Sequence, residues 1–132
     1  MNVLVVEPGY LPYEKEINGL SEMQATVGGY IEAIYPYEEM VTIVCNEEGK
    51  LIGAPLNRGI YNENGELQDI IAGNFFVCSA PMECESFQSL SEEQIKQYTE
   101  KFKYPEMFFR GEDGKIIAKK ITAEPREFNA ER

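Results

Sequence analysis

Histidine is absent from this 132-residue chain. Its absence removes the side chain that most often titrates near neutral pH, and with it the usual partner of a serine or cysteine nucleophile. Most hydrolase constellations are excluded on that ground, and no residue is assigned a catalytic role. A serine and lysine pair, or two carboxylates, stays formally open. With 23 acidic residues, however, some pair falls at glycosidase-like separation by chance, so the pattern has no specificity. A non-enzymatic protein is expected.

Cysteine is sparse and odd in number. Cys45, Cys78 and Cys84 are scattered, which argues against a disulfide framework and fits a reducing compartment. Structural zinc takes four Cys and His ligands at close spacing, a requirement this set does not meet, so packing thiols are expected, with no metal and no cofactor. Long apolar runs are missing too: none approaches the roughly 20 residues that span a bilayer. Val3-Leu4-Val5-Val6 is too short, and too soon followed by Glu7 and Pro8, to be the core of a secretory signal. The expected address is the cytoplasm, away from membranes. A glycine loop that cradles phosphate is also lacking, because Gly28-Gly29 follows a predicted helix instead of preceding one.

Positive charge is scarce over the first two thirds. Residues 1–90 hold 14 acidic and 3 basic side chains, whereas residues 91–132 hold 9 of each, so the whole formal net charge of −11 belongs to the first segment. Phosphate affinity comes largely from Lys and Arg displacing counterions, so direct binding to nucleic acid is not expected.

What is present reads as one domain of ordinary globular composition, with 43% hydrophobic and 27% charged residues. A domain over residues 1–121 is expected, followed by a loosely held tail over 122–132 that is rich in charge and contains Pro125. The β-branched run from Val3 to Val6 predicts a strand buried on both faces. Further strands are predicted over 13–17, 30–35, 40–45 and 74–79, the last as a second central strand. Ser21 and Gln24 form a capping-box pattern that predicts a short helix stopped at Gly28-Gly29. Ser91 and Gln94 repeat that pattern before Ile95, Tyr98 and Phe102, whose helical spacing makes one apolar stripe to lie on a sheet. Three turns share one chemistry: residues 46–50, 62–66 and 111–115 each carry Gly where a type I turn plus bulge needs positive φ. Each predicts a hairpin, the first pairing 50–54 back onto 40–45. Residues 80–89 read as a loop. The fold class is α+β: a mainly antiparallel sheet of about five to seven strands built from hairpins, with a principal C-terminal helix and a shorter N-terminal one.

Two groups of side chains are candidates for a site. Arg58 is the only cation between Lys50 and Lys96, and beside Asn57 and Tyr61 it offers a fork for a ligand carboxylate or phosphate with a ring to stack on a base. The competing expectation is structural, with Asn57 in a turn and Arg58 paired internally, Asp69 being the obvious acceptor. The second group, Tyr30, Glu32, Tyr35, Tyr37, Glu38 and Glu39, combines tyrosines with acids, and tyrosines are enriched at interfaces between proteins. Strand packing explains most of these rings equally well.

Several blocks taken in order resemble one family. They are residues 3–9, Gly28-Gly29-Tyr30-Ile31-Glu32, Cys45-Asn46-Glu47-Glu48-Gly49, Pro55-Leu56-Asn57-Arg58, residues 69–76, and the helix that ends in Lys103-Tyr104-Pro105-Glu106. The family is the domain of unknown function 3846, and the resemblance runs from about residue 2 to residue 110. It implies no activity and transfers no catalytic residue. It implies a context, that of phages and conjugative elements of gut-type Gram-positive bacteria, often near antirestriction genes. The resulting expectation is an accessory protein of a mobile element that binds a protein partner, in a sharper version by imitating DNA with its acidic surface. The alternative is a small-molecule or nucleotide binder using the Asn57-Arg58 loop.

Overall fold

The computed structural model describes residues 1–82 and 86–125. Cys84, and the part of the expected tail from residue 126 on, lie outside the described residues. The elements follow the order β1 (Asn2–Val6), β2 (Tyr13–Glu16), α1 (Gly19–Val27), β3 (Ile31–Ile34), β4 (Val41–Asn46), β5 (Leu56–Tyr61), β6 (Leu67–Ala72), β7 (Phe75–Ser79), α2 (Glu92–Lys101), β8 (Glu106–Arg110) and β9 (Ile116–Lys120). The class is α+β with antiparallel strand pairing, as expected.

The expected single sheet is divided in three. A five-stranded sheet has the order β2-β1-β7-β4-β3, while β5 pairs with β6 and β8 pairs with β9 as separate two-stranded ribbons. The β-branched and aromatic runs of β1, β4 and β7 occupy the middle because both of their faces are covered. Alternation sorts their side chains onto two cores. Leu4, Val6, Val41, Ile43, Phe75 and Val77 point to one side, where Ile60 of β5, Ile71 of β6, and Tyr98 and Phe102 at the end of α2 close over them. Val3, Val5, Val44, Phe76 and Cys78 point to the other, covered by Ile17 and by Val27 and Met23 of α1. The Phe75 and Phe102 rings meet edge to face at 5.3 Å, an arrangement favoured by their quadrupoles.

Local signals hold at α2 and at two of the turns. Ser91 accepts from the Gln94 amide at 3.1 Å, while the Gln94 side chain accepts from the Ser91 amide at 2.9 Å, which completes the predicted capping box. The turns after β5 and β8 place Gly65 and Gly114 at φ +79° and +83°.

Three expectations are corrected. Helix α1 starts at Gly19 behind Asn18, not at Ser21, because Glu22 reaches back to accept from the Asn18 amide at 2.7 Å while fully buried Ile17 fixes the entry of the chain. Residues 50–54 do not pair onto β4, since both edges of β4 are taken by β3 and β7. The chain instead turns through Ile52 N–H to Glu48 O at 3.0 Å and Ala54 N–H to Gly49 O at 3.0 Å. The beginning of the expected tail is tied down: Glu124 donates to Gly9 O and accepts from Leu11 N–H at 2.8 Å. Residues 80–89 form the predicted loop where described, with Gln88 bridged to Ser79.

Candidate functional site

Asn57 and Arg58 lie inside β5, not in a loop, and face the interior. Asn57 donates through Nδ2 to Val6 O and Gly73 O, both at 2.9 Å. Arg58, with none of its surface exposed, donates through Nε to Phe102 O at 3.0 Å and through Nη2 to Tyr10 O at 2.7 Å. Its Nη1 donates to Asn57 Oδ1 at 2.8 Å and to Glu7 O at 3.5 Å. The expected partner Asp69 is taken by Lys50 at 2.7 Å. Burial pushes the guanidinium down to about 10, which leaves it charged at neutral pH. Its donors point at oxygens of its own chain, so the pair offers no fork to a ligand. The reading of a ligand loop at Asn57-Arg58 is therefore corrected: the pair is an internal clamp joining β5 to the β1–β2 connection and the end of α2.

The remaining candidates gather elsewhere. Pro36 ends β3, and the short connection to β4 sets Tyr37, Glu38 and Glu39 on one wall of an open cleft of about 520 Å³. The β5–β6 turn supplies the opposite wall with Tyr61 and Glu63, and Lys101 from the end of α2 closes one side. That turn is shaped locally: the Asn62 side-chain oxygen accepts from the amides of Asn64 at 3.0 Å and Glu66 at 2.9 Å. One residue of the first candidate group and three of the second thus share a cavity.

Most of the polar groups in the cleft are held. Glu39 accepts from Gln97 Nε2 at 2.8 Å and from the Tyr98 hydroxyl at 3.0 Å. Its own backbone amide and those two donors hold its carboxyl below the usual carboxylate range. The Lys101 ammonium stands 4.3 Å over the Tyr37 ring, a cation–π contact. Burial first, and Glu39 second, raise the Tyr37 phenol above its ordinary value. Tyr61 donates to Glu106 of β8 and is raised by burial and by that carboxylate. The walls therefore carry three carboxylates, from Glu38, Glu39 and Glu63, against one ammonium already engaged with a ring. A phosphate would meet repulsion here, whereas a guanidinium or ammonium group meets both carboxylates and aromatic faces.

Tyr30, Glu32 and Tyr35 stand apart, along β3 at the edge of the main sheet, with both rings largely in solvent. Sequence reasoning missed Glu63 and Lys101. Lys101 follows Tyr98 by three residues and so projects near the same face of α2, a helical spacing that could have placed it beside the tyrosine cluster. Among the described residues, no three of His, Cys, Asp and Glu converge as metal ligands would, and no helix is long and apolar enough to cross a membrane.

The blocks that fix this geometry, from β1 through the clamp to the end of α2, match one family over residues 1–103: Domain of unknown function (DUF3846). The chain belongs to this family. The match stops short of residue 110, so the β8–β9 hairpin lies outside the matched residues. No curated protein and no solved structure matches the chain.

Proposed function

We propose that this family member is a non-enzymatic accessory protein, in keeping with a mobile-element context, and that it works by binding a protein partner presenting basic side chains. The observation that supports this reading is the composition of the cleft: Glu38, Glu39 and Glu63 around the Tyr37 and Tyr61 rings, at the junction of three segments. Tyrosines supply contact area at little entropic cost, and surrounding carboxylates select cations and steer their approach. Exposed Tyr30 and Tyr35 at the sheet edge offer further tyrosine surface apart from the cleft.

A nucleic-acid mimic is not part of the proposal. A mimic needs a continuous band of charge, and here Glu14 and Glu16 of β2 stand at one edge of the main sheet while Glu32 of β3 stands at the other. The nucleotide alternative loses its support with Asn57 and Arg58 in the interior.

The reading is tested by titrating a fluorescent Lys/Arg-rich peptide into the protein at low and high salt. Binding should weaken as salt rises, and Glu38→Gln with Glu63→Gln should weaken it about fivefold, as expected for loss of about 1 kcal/mol of exposed charge attraction. Affinity indifferent to both changes would remove the proposal.

A further inference from the structure

The β8–β9 hairpin follows the residues matched to the family, and its two faces differ. Its register sets Met107 opposite Lys119 and Phe109 opposite Ile117, so these four side chains share one face. The other face carries Glu106, Phe108 and Ala118, with Lys120 opposite Glu106 and with Arg110 and exposed Ile116 toward the tip. Its Glu106 end is turned to the body, where Glu106 accepts from Gly59 N–H at 3.0 Å and from the Tyr61 hydroxyl. The outer face is left in solvent, with Met107 48%, Phe109 42% and Ile117 52% exposed. Clustered apolar exposure of this kind marks an interface, and an isolated two-stranded ribbon gains stability when such a face is covered.

Charge selects the occupant. The hairpin carries Arg110, Lys115, Lys119 and Lys120 against Glu112 and Asp113 at its tip and the inward-turned Glu106, whereas residues 1–90 carry the whole net charge of the chain. An anionic membrane or a nucleic acid approaching the hairpin would be repelled by that body. A second copy brings the complement: a cleft with carboxylates for Lys119 and tyrosine rings for Met107 and Phe109. Hairpin and cleft adjoin on one molecule, because Tyr61 lines the cleft and bonds Glu106. With the two adjoining, a two-fold arrangement about this region would pair each hairpin with the partner's cleft and close the assembly at two. We infer that the hairpin is a self-association arm whose Met107, Phe109, Ile117 and Lys119 face docks reciprocally in the acidic cleft of a second copy. The inference rests on the cleft accepting basic side chains, as proposed above.

Sedimentation velocity of the full chain at low and high salt tests it. A dimer at low ionic strength should shift to monomer as salt rises. Phe109→Ser with Lys119→Glu on the hairpin, and separately Glu38→Lys with Glu63→Lys in the cleft, should each give monomers with unchanged circular dichroism. An equimolar mixture of the two should restore a dimer, because one contact is then native and the other has its charges exchanged. If the double hairpin variant does not fold, Lys119→Glu alone, at an exposed side chain, must give the same loss. A wild-type monomer at every concentration, a dimer untouched by both variants, or a mixture that stays monomeric would each overturn the inference. The Lys/Arg-rich peptide separates the two readings. A monomer that still binds the peptide overturns self-association alone. A dimer sensitive to both variants but blind to the peptide confines the cleft to the hairpin and overturns the wider reading.

Discussion

Arg58 crosses from β5 to three carbonyls on two segments that are remote in sequence, Phe102 at the end of α2 and Glu7 and Tyr10 in the β1–β2 connection. Replacing it with Met keeps much of the volume but leaves buried acceptors without donors, each worth about 1–3 kcal/mol. Arg58→Met should therefore cost about 3–5 kcal/mol in urea unfolding, and Arg58→Lys nearly as much, since one ammonium cannot span the fork. A loss below about 1 kcal/mol would show that the clamp is dispensable. The isolation of this cation was legible in the sequence. Its partners were not, because they are backbone carbonyls, and the side chains of Phe102 and Tyr10 give no sign of where their main-chain oxygens point. Glu39 offers a second test at this scale. Its folded-state pKa is lowered, so its contribution to stability is present above the unfolded value and lost as pH falls through the folded one. Tyr98→Phe removes one of its donors. The Glu39 titration midpoint, followed by carboxyl NMR, should then rise toward the ordinary range, and an unchanged midpoint would mean the hydroxyl does not hold the carboxylate.

Elements were legible where their signals are local. The capping box at Ser91 and the turns ending in Gly65 and Gly114 depend only on residues within a few positions, and all three form where expected. Residues 46–50 carry the same turn chemistry and still make no hairpin, because β7, far along the chain, takes the β4 edge that the return strand would have used. No local window contains that competition. The cleft was hidden for the same reason: its walls come from the β3–β4 connection, the β5–β6 turn and the end of α2, and only the tertiary fold brings Tyr37 to Tyr61. Gly49 marks the actual path after β4. A Cβ there would stand 2.6 Å from the Ala72 carbonyl oxygen, which is backbone and cannot swing away. Gly49→Ala should cost about 1–3 kcal/mol, the usual range for overpacking, and should speed amide exchange in β6 more than in β1. An equal or smaller effect in β6 would place the strain elsewhere.

For the whole molecule the governing quantity is a net charge of −11. Among the described residues the ion pairs are the N-terminus with Glu16 and Lys50 with Asp69, so most of the acids have no fixed counter-charge to offset repulsion. The acids on the two edges of the main sheet also stand far apart. From β2 to β3 there are four strand spacings of about 4.8 Å, which puts Glu14 and Glu16 roughly 19 Å from Glu32. The Debye length falls from about 30 Å at 0.01 M salt to about 8 Å at 0.15 M, so this repulsion across the sheet is felt at the lower concentration and screened at the higher. The unfolding temperature should therefore climb by a few degrees over that interval and then flatten, since a gain of about 1 kcal/mol moves a domain of this size by about 3–6 °C. Lys119→Glu is the form to measure, because an associating chain would lose stabilisation as salt weakened its contacts. An unfolding temperature that falls over the same interval would mean that attraction between unlike charges, not repulsion among the acids, dominates the folded state.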